Sequence, residues 1–177
     1  MLFEGEKLSE LSYDDFRELA RYVISRLDGA WYRIVAAKCG IPEAVDSDVK
    51  VWEDLMERVV RHIKKTLKLE GKGIEFVRQA FPKIAKVFGE LRETKIETAF
   101  AENKIISRLS QCEYWEGIKK AGFGQFAEAG LMCSRAHVAG YKGLCKGAFP
   151  DMNFKLTHTK RIPDGDPYCE MIIEIIP

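Results

Sequence analysis

The chain has 177 residues, of which 46% are hydrophobic and 31% charged, the size and balance of one globular domain with an apolar core. With 28 basic and 27 acidic residues, the net charge of +1 excludes a general electrostatic attraction to nucleic acid or to a membrane surface. We therefore expect a single domain over 1–177, with neither nucleic acid nor membrane among its partners.

The N-terminal residues indicate the cellular compartment. The first fifteen residues contain no basic start followed by an apolar run, which a secretory signal would need. No apolar stretch approaches the roughly 20 residues that span a bilayer. We therefore expect a cytoplasmic protein with reduced thiols, and an odd number of cysteines, five, agrees with this.

Residues 1–90 are predicted to be helical. Ser12, Asp14 and Asp15 are typical of a helix start, and apolar residues then recur at three- and four-residue steps as far as Leu27. Asp28-Gly29 is a candidate interruption, and Gly40-Ile41-Pro42 a stop. A second amphipathic helix is predicted over about 46–69, and a third over 74–88, bent or restarted near Pro82.

Residues 91–177 are predicted to form two hairpins around a helical crossover. Alternation over 96–100 and a turn at Glu102-Asn103 predict two strands, and a short helix follows over 112–120. A helix is predicted over 126–144, then strands around Phe154–Thr159 and Cys169–Ile175 joined by a turn at 163–167. The fold class is α+β: N-terminal helices plus a four-stranded antiparallel sheet with helices packed on one face.

Cysteine and histidine are concentrated in the C-terminal part of the chain. The last 66 residues contain most of them, and only Cys39 and His62 precede residue 112; the C-terminal group is Cys112, Cys133, His137, Cys145, His158 and Cys169. Cys133 and His137 are four residues apart on one helix face, a spacing that suits a zinc or iron ion. Alternation directs His158 and Cys169 to the helix-covered side of the sheet. Cys133, Cys169 and His158 each have an inert alternative as core packing, the alternative for His137 is exposure to solvent, and Cys39 is expected in the core.

Other side chains are candidates for lining a pocket or for catalysis. Cys112 precedes a short helix whose N-terminal turn would lower its pKa, and Glu113 beside it is a candidate general base. Trp115 and Tyr141 are candidate ligand-binding residues. Small residues along the 126–144 helix either let it lie close to the sheet or leave space for a ligand between helix and sheet.

The block from Cys112 to Glu174 resembles the L-2-amino-thiazoline-4-carboxylic acid hydrolase family and, more weakly, vinyl-reductase-type small-molecule binding domains. The segments that carry the resemblance are Cys112–Trp115, Gly143–Cys145, Asn153–Leu156 and Gly165–Glu170. The resemblance implies an α+β ligand pocket lined by Cys112, Cys145 and Cys169, and opening of a cyclic C–N bond by water. The last strand departs from the family, because Glu170–Ile172 lacks the arginine that would recognise a carboxylate.

Two functions remain as hypotheses. The first is a small-molecule or metal binding domain with a Cys/His-lined pocket. The second is a hydrolase of a small cyclic amidine or thiazoline, with Cys112 or Cys145 as nucleophile or metal ligand, Glu113 as base and His137 as proton carrier. A weaker third idea is an interaction module or homodimer through the N-terminal helices, with Trp31, Trp52 and Phe81 as an exposed patch; the alternative, which is the commoner role of such residues, is packing in the core.

Overall fold

The computed structural model describes residues 12–92, 94–120 and 127–176. The described chain has five α-helices, a single turn of 3-10 helix at Ile162–Asp164, and four strands. The helices are α1 (Tyr13–Cys39), α2 (Ile41–Thr66), α3 (Gly73–Arg92), α4 (Glu113–Lys120) and α5 (Ala127–Ala148). The strands are β1 (Ile96–Ala101), β2 (Lys104–Leu109), β3 (Asn153–Lys160) and β4 (Cys169–Ile176).

Local signals at the ends of α1 set its length. Ser12 Oγ accepts the Asp15 N–H at 3.1 Å, and the Asp15 carboxylate accepts the Ser12 N–H at 3.0 Å, which forms a capping box. The helix ends at Gly40, whose φ of +89° suits glycine. The predicted interruption at Asp28-Gly29 is wrong: α1 continues through both residues, since one glycine costs a helix only about 1 kcal/mol relative to alanine.

The boundaries of α2 and α3 also differ from the sequence prediction. Helix α2 begins at Ile41 rather than near residue 46, because Pro42 sits in the first turn, where its missing N–H is harmless. Helix α3 runs unbroken through Pro82, so the predicted restart there is wrong. Residues on both sides of Pro82 pack into the main core, including the fully buried Phe81 and Ile84. This packing stabilises the helix around the proline.

The four strands form one antiparallel sheet in the order β1-β2-β4-β3. The predicted turn joins β1 to β2 at Glu102, whose φ is +48°. Met171 and Ile173 on β4 are fully buried beneath the helices, whereas the opposite face carries ion pairs such as Lys104–Glu174 and Arg108–Glu170, each 2.7 Å. The predicted α+β fold, a four-stranded sheet with helices on one face, is therefore confirmed.

The small residues of α5 serve the approach of α5 to α2. A Cβ atom at Gly143 would lie 2.2 Å from the Glu53 carbonyl oxygen, and one at Gly147 would lie 2.5 Å from that of Glu57. Helices α2 and α5 form the most extensive helix pair among the described residues. The sequence associated these small residues with the sheet, but the close contact is with the backbone of α2.

The suggested exposed patch of aromatic residues is not formed. Phe81 is fully buried, Trp52 is buried, and Trp31 is half-buried. Trp52 packs against Ala136 and Ala139 of α5, and its ring lies edge-on to Tyr114 with centroids 5.9 Å apart. That version of a dimer face is therefore wrong. Within the described residues, no helix combines the length and the apolar character needed to cross a membrane.

We expect Gly143→Ala to destabilise the domain by about 1–3 kcal/mol or more, because the added methyl group would meet fixed backbone atoms of α2. Gly29→Ala is the matched control, since a Cβ there meets nothing within 4 Å, and we expect it to be neutral or stabilising by up to about 1 kcal/mol. Urea unfolding of both variants measures the difference. Equal stability of the two variants would contradict the proposed packing role of Gly143.

Candidate functional site

Three side chains of the types that can ligate a metal meet between α5 and the sheet: His137 of α5, His158 of β3 and Cys169 of β4. Their ligand atoms all lie within 4.8 Å of one another. We call these residues the His/Cys cluster. The predicted inward direction of His158 and Cys169 is confirmed, because both lie on the helix-covered face. A register shift between His158 and Lys160 lies directly beside the cluster, where such an irregularity redirects side chains.

The two imidazole rings are in contact edge to face. Their centroids are 4.6 Å apart and their planes are inclined at 87°. His158 Nδ1 hydrogen-bonds to Ser134 Oγ at 3.3 Å, which leaves Nε2 as the free ring nitrogen. The Nε2 atoms of both His137 and His158 are shielded from solvent, and neither has a hydrogen-bond partner among the described residues.

Burial controls the ionisation of the His/Cys cluster. Loss of solvation, followed by repulsion from His158, lowers the pKa of His137 to about 3, so the ring is neutral at physiological pH. Burial and the nearby Arg161 guanidinium also lower the pKa of His158. Burial raises the pKa of the Cys169 thiol to about 11, although the Ile162 N–H donates to its sulfur at 3.3 Å.

Tyr141 lies beside His137, next to the His/Cys cluster. Its ring centroid is 5.1 Å from that of His137, and its hydroxyl is 2.6 Å from Ser107 Oγ on β2. Burial raises the pKa of Tyr141 to about 12. The phenol is therefore a neutral hydrogen-bonding group fixed beside the imidazoles. The tyrosine predicted as a ligand-binding residue thus lies next to the cluster.

A pair of thiols borders the cluster on its outer side. Hydrogen bonding between Cys133 and Cys112, followed by burial, raises the pKa of Cys133 well above its usual range. Cys112 Sγ also accepts the Trp115 N–H at 3.4 Å, at the start of α4. Cys169 is close enough to both thiols to interact with them electrostatically. His137 thus has His158 and Cys169 as its neighbours in the cluster, whereas Cys133, its partner in the sequence prediction, faces Cys112.

A cleft of about 380 Å³ opens at Cys112. Glu113 and Glu116 of α4 line it on one side, so the predicted thiol and its neighbouring acid do share a surface. The remaining lining residues are Ser110, Gln111, Ile162 and Pro167. Of the thiols and imidazoles described above, Cys112 lines this cleft, whereas His137, His158 and Cys169 do not.

The other predicted residues lie apart from the cleft. Cys145 is buried in the main core, where loss of solvation raises its pKa to about 12. Trp115 is buried against Cys133 and Met132 in a separate small core. Cys39, expected in the core, is exposed because it is the last residue of α1.

The sequence analysis did not identify two serines that hydrogen-bond to residues of the site and so help to position them. Ser134 is hydrogen-bonded to His158, and Ser107 to Tyr141. Ser107 is almost fully buried on the core face of β2, two residues after Ile105. A hydroxyl at a core position of a strand was the available signal, because buried polar groups need partners.

Solved structures of other proteins share the fold of this chain, although its sequence matches no known family. No protein-family model matches the chain, and no curated protein does. Trafficking protein particle complex subunit 3 from Naegleria fowleri, solved covalently bound to palmitic acid, matches 90% of this chain and 97% of its own, with a TM-score of 0.62 and 9% identity. The SO2144 H-NOX domain from Shewanella oneidensis, solved in the Fe(II)CO ligation state, matches 88% of this chain and 76% of its own, with a TM-score of 0.54 and 17% identity. At these identities the likeness shows a shared fold.

Thiol alkylation tests the placement of the five cysteines. We expect iodoacetamide at pH 8 to modify Cys39 and Cys112 in the folded protein, because Cys39 is exposed and Cys112 lines the cleft. Cys133, Cys145 and Cys169 should react only after unfolding, since burial and raised pKa values keep them as thiols. Peptide mass spectrometry measures each site. Labelling of Cys145 as fast as Cys39 would contradict the described packing.

Proposed function

We propose that this protein is a small-molecule binding domain that holds a zinc-type metal ion on His137, His158 and Cys169. The observation that carries the proposal is the meeting of two shielded imidazole nitrogens and a thiol within 4.8 Å, with no partner for either Nε2 among the described residues. The cleft at Cys112 lies next to this cluster, because Cys112 interacts with both Cys133 and Cys169.

The donor set suits a borderline metal such as zinc or iron. Imidazole and thiolate both bind these ions, with zinc–nitrogen distances of about 2.0–2.1 Å and zinc–sulfur distances of about 2.3 Å. Tetrahedral ligands at such distances lie roughly 3.5 Å apart. Ligand atoms at most 4.8 Å apart need only small side-chain movements to reach this arrangement.

The surroundings of the cluster favour metal binding over inert packing. A buried ring nitrogen without a hydrogen bond costs about 1–3 kcal/mol, and metal coordination would remove this cost for both histidines. The low pKa of His137 supplies the neutral ring that a metal needs. Ser134, bonded to His158 Nδ1, would orient that ring as outer-shell partners do in metal sites.

Three protein ligands would leave a tetrahedral ion one open position for a bound molecule. Ligand binding on this fold is also suggested by its structural neighbours, one solved with palmitic acid and one with iron and carbon monoxide. We therefore favour a metal-assisted binding site over a purely structural metal.

Metal titration tests the proposal. We expect metal-free protein to bind one Zn²⁺, and Co²⁺ to give the absorption of a cobalt–thiolate bond. His158→Ala and Cys169→Ser should each weaken binding by at least about 100-fold, since a ligand is lost. Cys145→Ser is the matched control, another buried thiol outside the cluster, and should bind as the parent does. Elemental analysis of the purified protein provides an independent measurement.

Two results would contradict the metal site. The first is purified protein without metal that folds normally and shows no heat of Zn²⁺ binding at micromolar concentration. The second is equal Zn²⁺ affinity in the parent, His158→Ala and Cys169→Ser, which would assign the metal to other residues.

A second candidate is hydrolysis of a small cyclic amidine or thiazoline. It is favoured by the common location of Cys112, Glu113 and Glu116 on one cleft, together with the resemblance of the 112–174 block to the thiazoline hydrolase family. Cys112 would be the nucleophile and Glu113 the base. The buried Cys145, with its pKa near 12, is a poor nucleophile, and His137, with a pKa near 3, is a poor proton carrier.

Incubation with L-2-amino-thiazoline-4-carboxylate distinguishes this second candidate from a binding domain. If the protein is a hydrolase, Cys112→Ser should lower turnover by at least about 100-fold, and Cys39→Ser, at the exposed cysteine, should leave it unchanged. Chromatographic detection of the ring-opened product is the measurement. Turnover that survives Cys112→Ser would contradict the assigned nucleophile, and an absence of product would favour binding alone.

A further inference from the structure

The helix α1 presents its apolar side outward, the reverse of an ordinary surface helix. Five large apolar residues along one face are each between 51% and 69% exposed: Phe16, Leu19, Val23, Leu27 and Ile34. The side of α1 turned toward the domain instead includes Arg21, which donates to the Glu90 carbonyl of α3, and Tyr32, which interacts with Asp48 of α2. The described residues thus leave a long apolar stripe in contact with solvent.

The spacing of the stripe is that of a coiled-coil seam. Phe16, Ala20, Val23, Leu27, Ala30 and Ile34 follow steps of four, three, four, three and four residues. At 1.5 Å per residue this seam extends over about 27 Å. A stripe of this length is larger than the scattered apolar residues of a monomeric surface, and its regular period fits another helix.

Charge selects the partner and its direction. The start of α1, residues 13–20, has Asp14, Asp15 and Glu18 against one arginine. Its end, residues 31–39, has Arg33 and Lys38 and no acidic residue. At 100° per residue Asp14 and Glu18 lie away from the seam, whereas Asp15 and Arg33 both flank it on the same side. Two copies of α1 in antiparallel orientation would bring Asp15 of each copy close to Arg33 of the other, and would also oppose the two helix dipoles favourably. A parallel pair would place like charges together at both ends.

We propose that α1 pairs with α1 of a second copy of this chain, antiparallel about a two-fold axis near residue 25. The seam positions then match in size across the interface: Phe16 faces Ile34, Ala20 faces Ala30, and Val23 faces Leu27. Each contact occurs twice, as two-fold symmetry requires. The proposed interface lies on α1 and is independent of the metal site, so either proposal can fail without the other.

Sedimentation equilibrium of the full chain tests the interface. We expect a dimer in the parent and a monomer in the double variant Val23→Glu/Leu27→Glu. The dissociation constant of the dimer should rise on the order of 1,000-fold, because each substitution occurs twice in the interface. Leu131→Glu is the control, since Leu131 of α5 is equally exposed but lies off the seam, and it should remain dimeric. Circular dichroism checks that both variants fold. A parent protein that stays monomeric at every concentration would overturn the proposal, whether or not another segment covers the stripe.

Disulfide crosslinking tests the direction. In a Cys39→Ser background, a mixture of the Phe16→Cys and Ile34→Cys proteins should form a mixed disulfide on oxidation, whereas each protein alone should not crosslink through the new cysteine. Crosslinking of each protein alone, without the mixed product, would overturn the antiparallel arrangement.

Discussion

The close approach of α5 to α2 determines where the functional side chains lie. Gly143 and Gly147 remove the side chains that would separate the helices, so the two backbones come into direct contact. Because α5 also packs on β3 of the sheet, this contact fixes its position over the sheet. His137 and Tyr141, six and two residues before Gly143 on the same helix, are thereby held beside the strands of the sheet, where His137 meets His158 and Cys169.

Burial of the polar groups beneath α5 costs free energy unless each group is hydrogen-bonded. Hydrogen bonds stabilise Tyr141 through Ser107 and one nitrogen of His158 through Ser134. The Nε2 atoms of both histidines are left without such compensation among the described residues. A core selected only for stability would be filled more favourably by apolar side chains, so the uncompensated imidazoles are the main observation behind the proposed binding function.

The site and the proposed pairing surface occupy different parts of the fold and follow from different constraints. The His/Cys cluster depends on desolvation between α5 and the sheet, whereas the stripe on α1 depends on apolar area that the described domain does not cover. Tyr32 of α1 interacts with Asp48 of α2, and Asp48 accepts a hydrogen bond from Tyr114 of α4 at 2.9 Å.

Local sequence patterns predicted the helices and strands, although not all of their boundaries, and the faces of β3 and β4. Alternation around His158 and Cys169 correctly predicted which way they point, and Ser12 with Asp15 marked the start of α1, because these signals depend on residues near in the chain. Which thiols and imidazoles meet depends on segments that are distant in the chain: His137 contacts His158, 21 positions away, and Cys133 hydrogen-bonds to Cys112, 21 positions before it. Spacing along a helix defines a face, but the residues that meet it are set by how helix and sheet pack, and that packing depends on distant contacts such as Gly143 against Glu53.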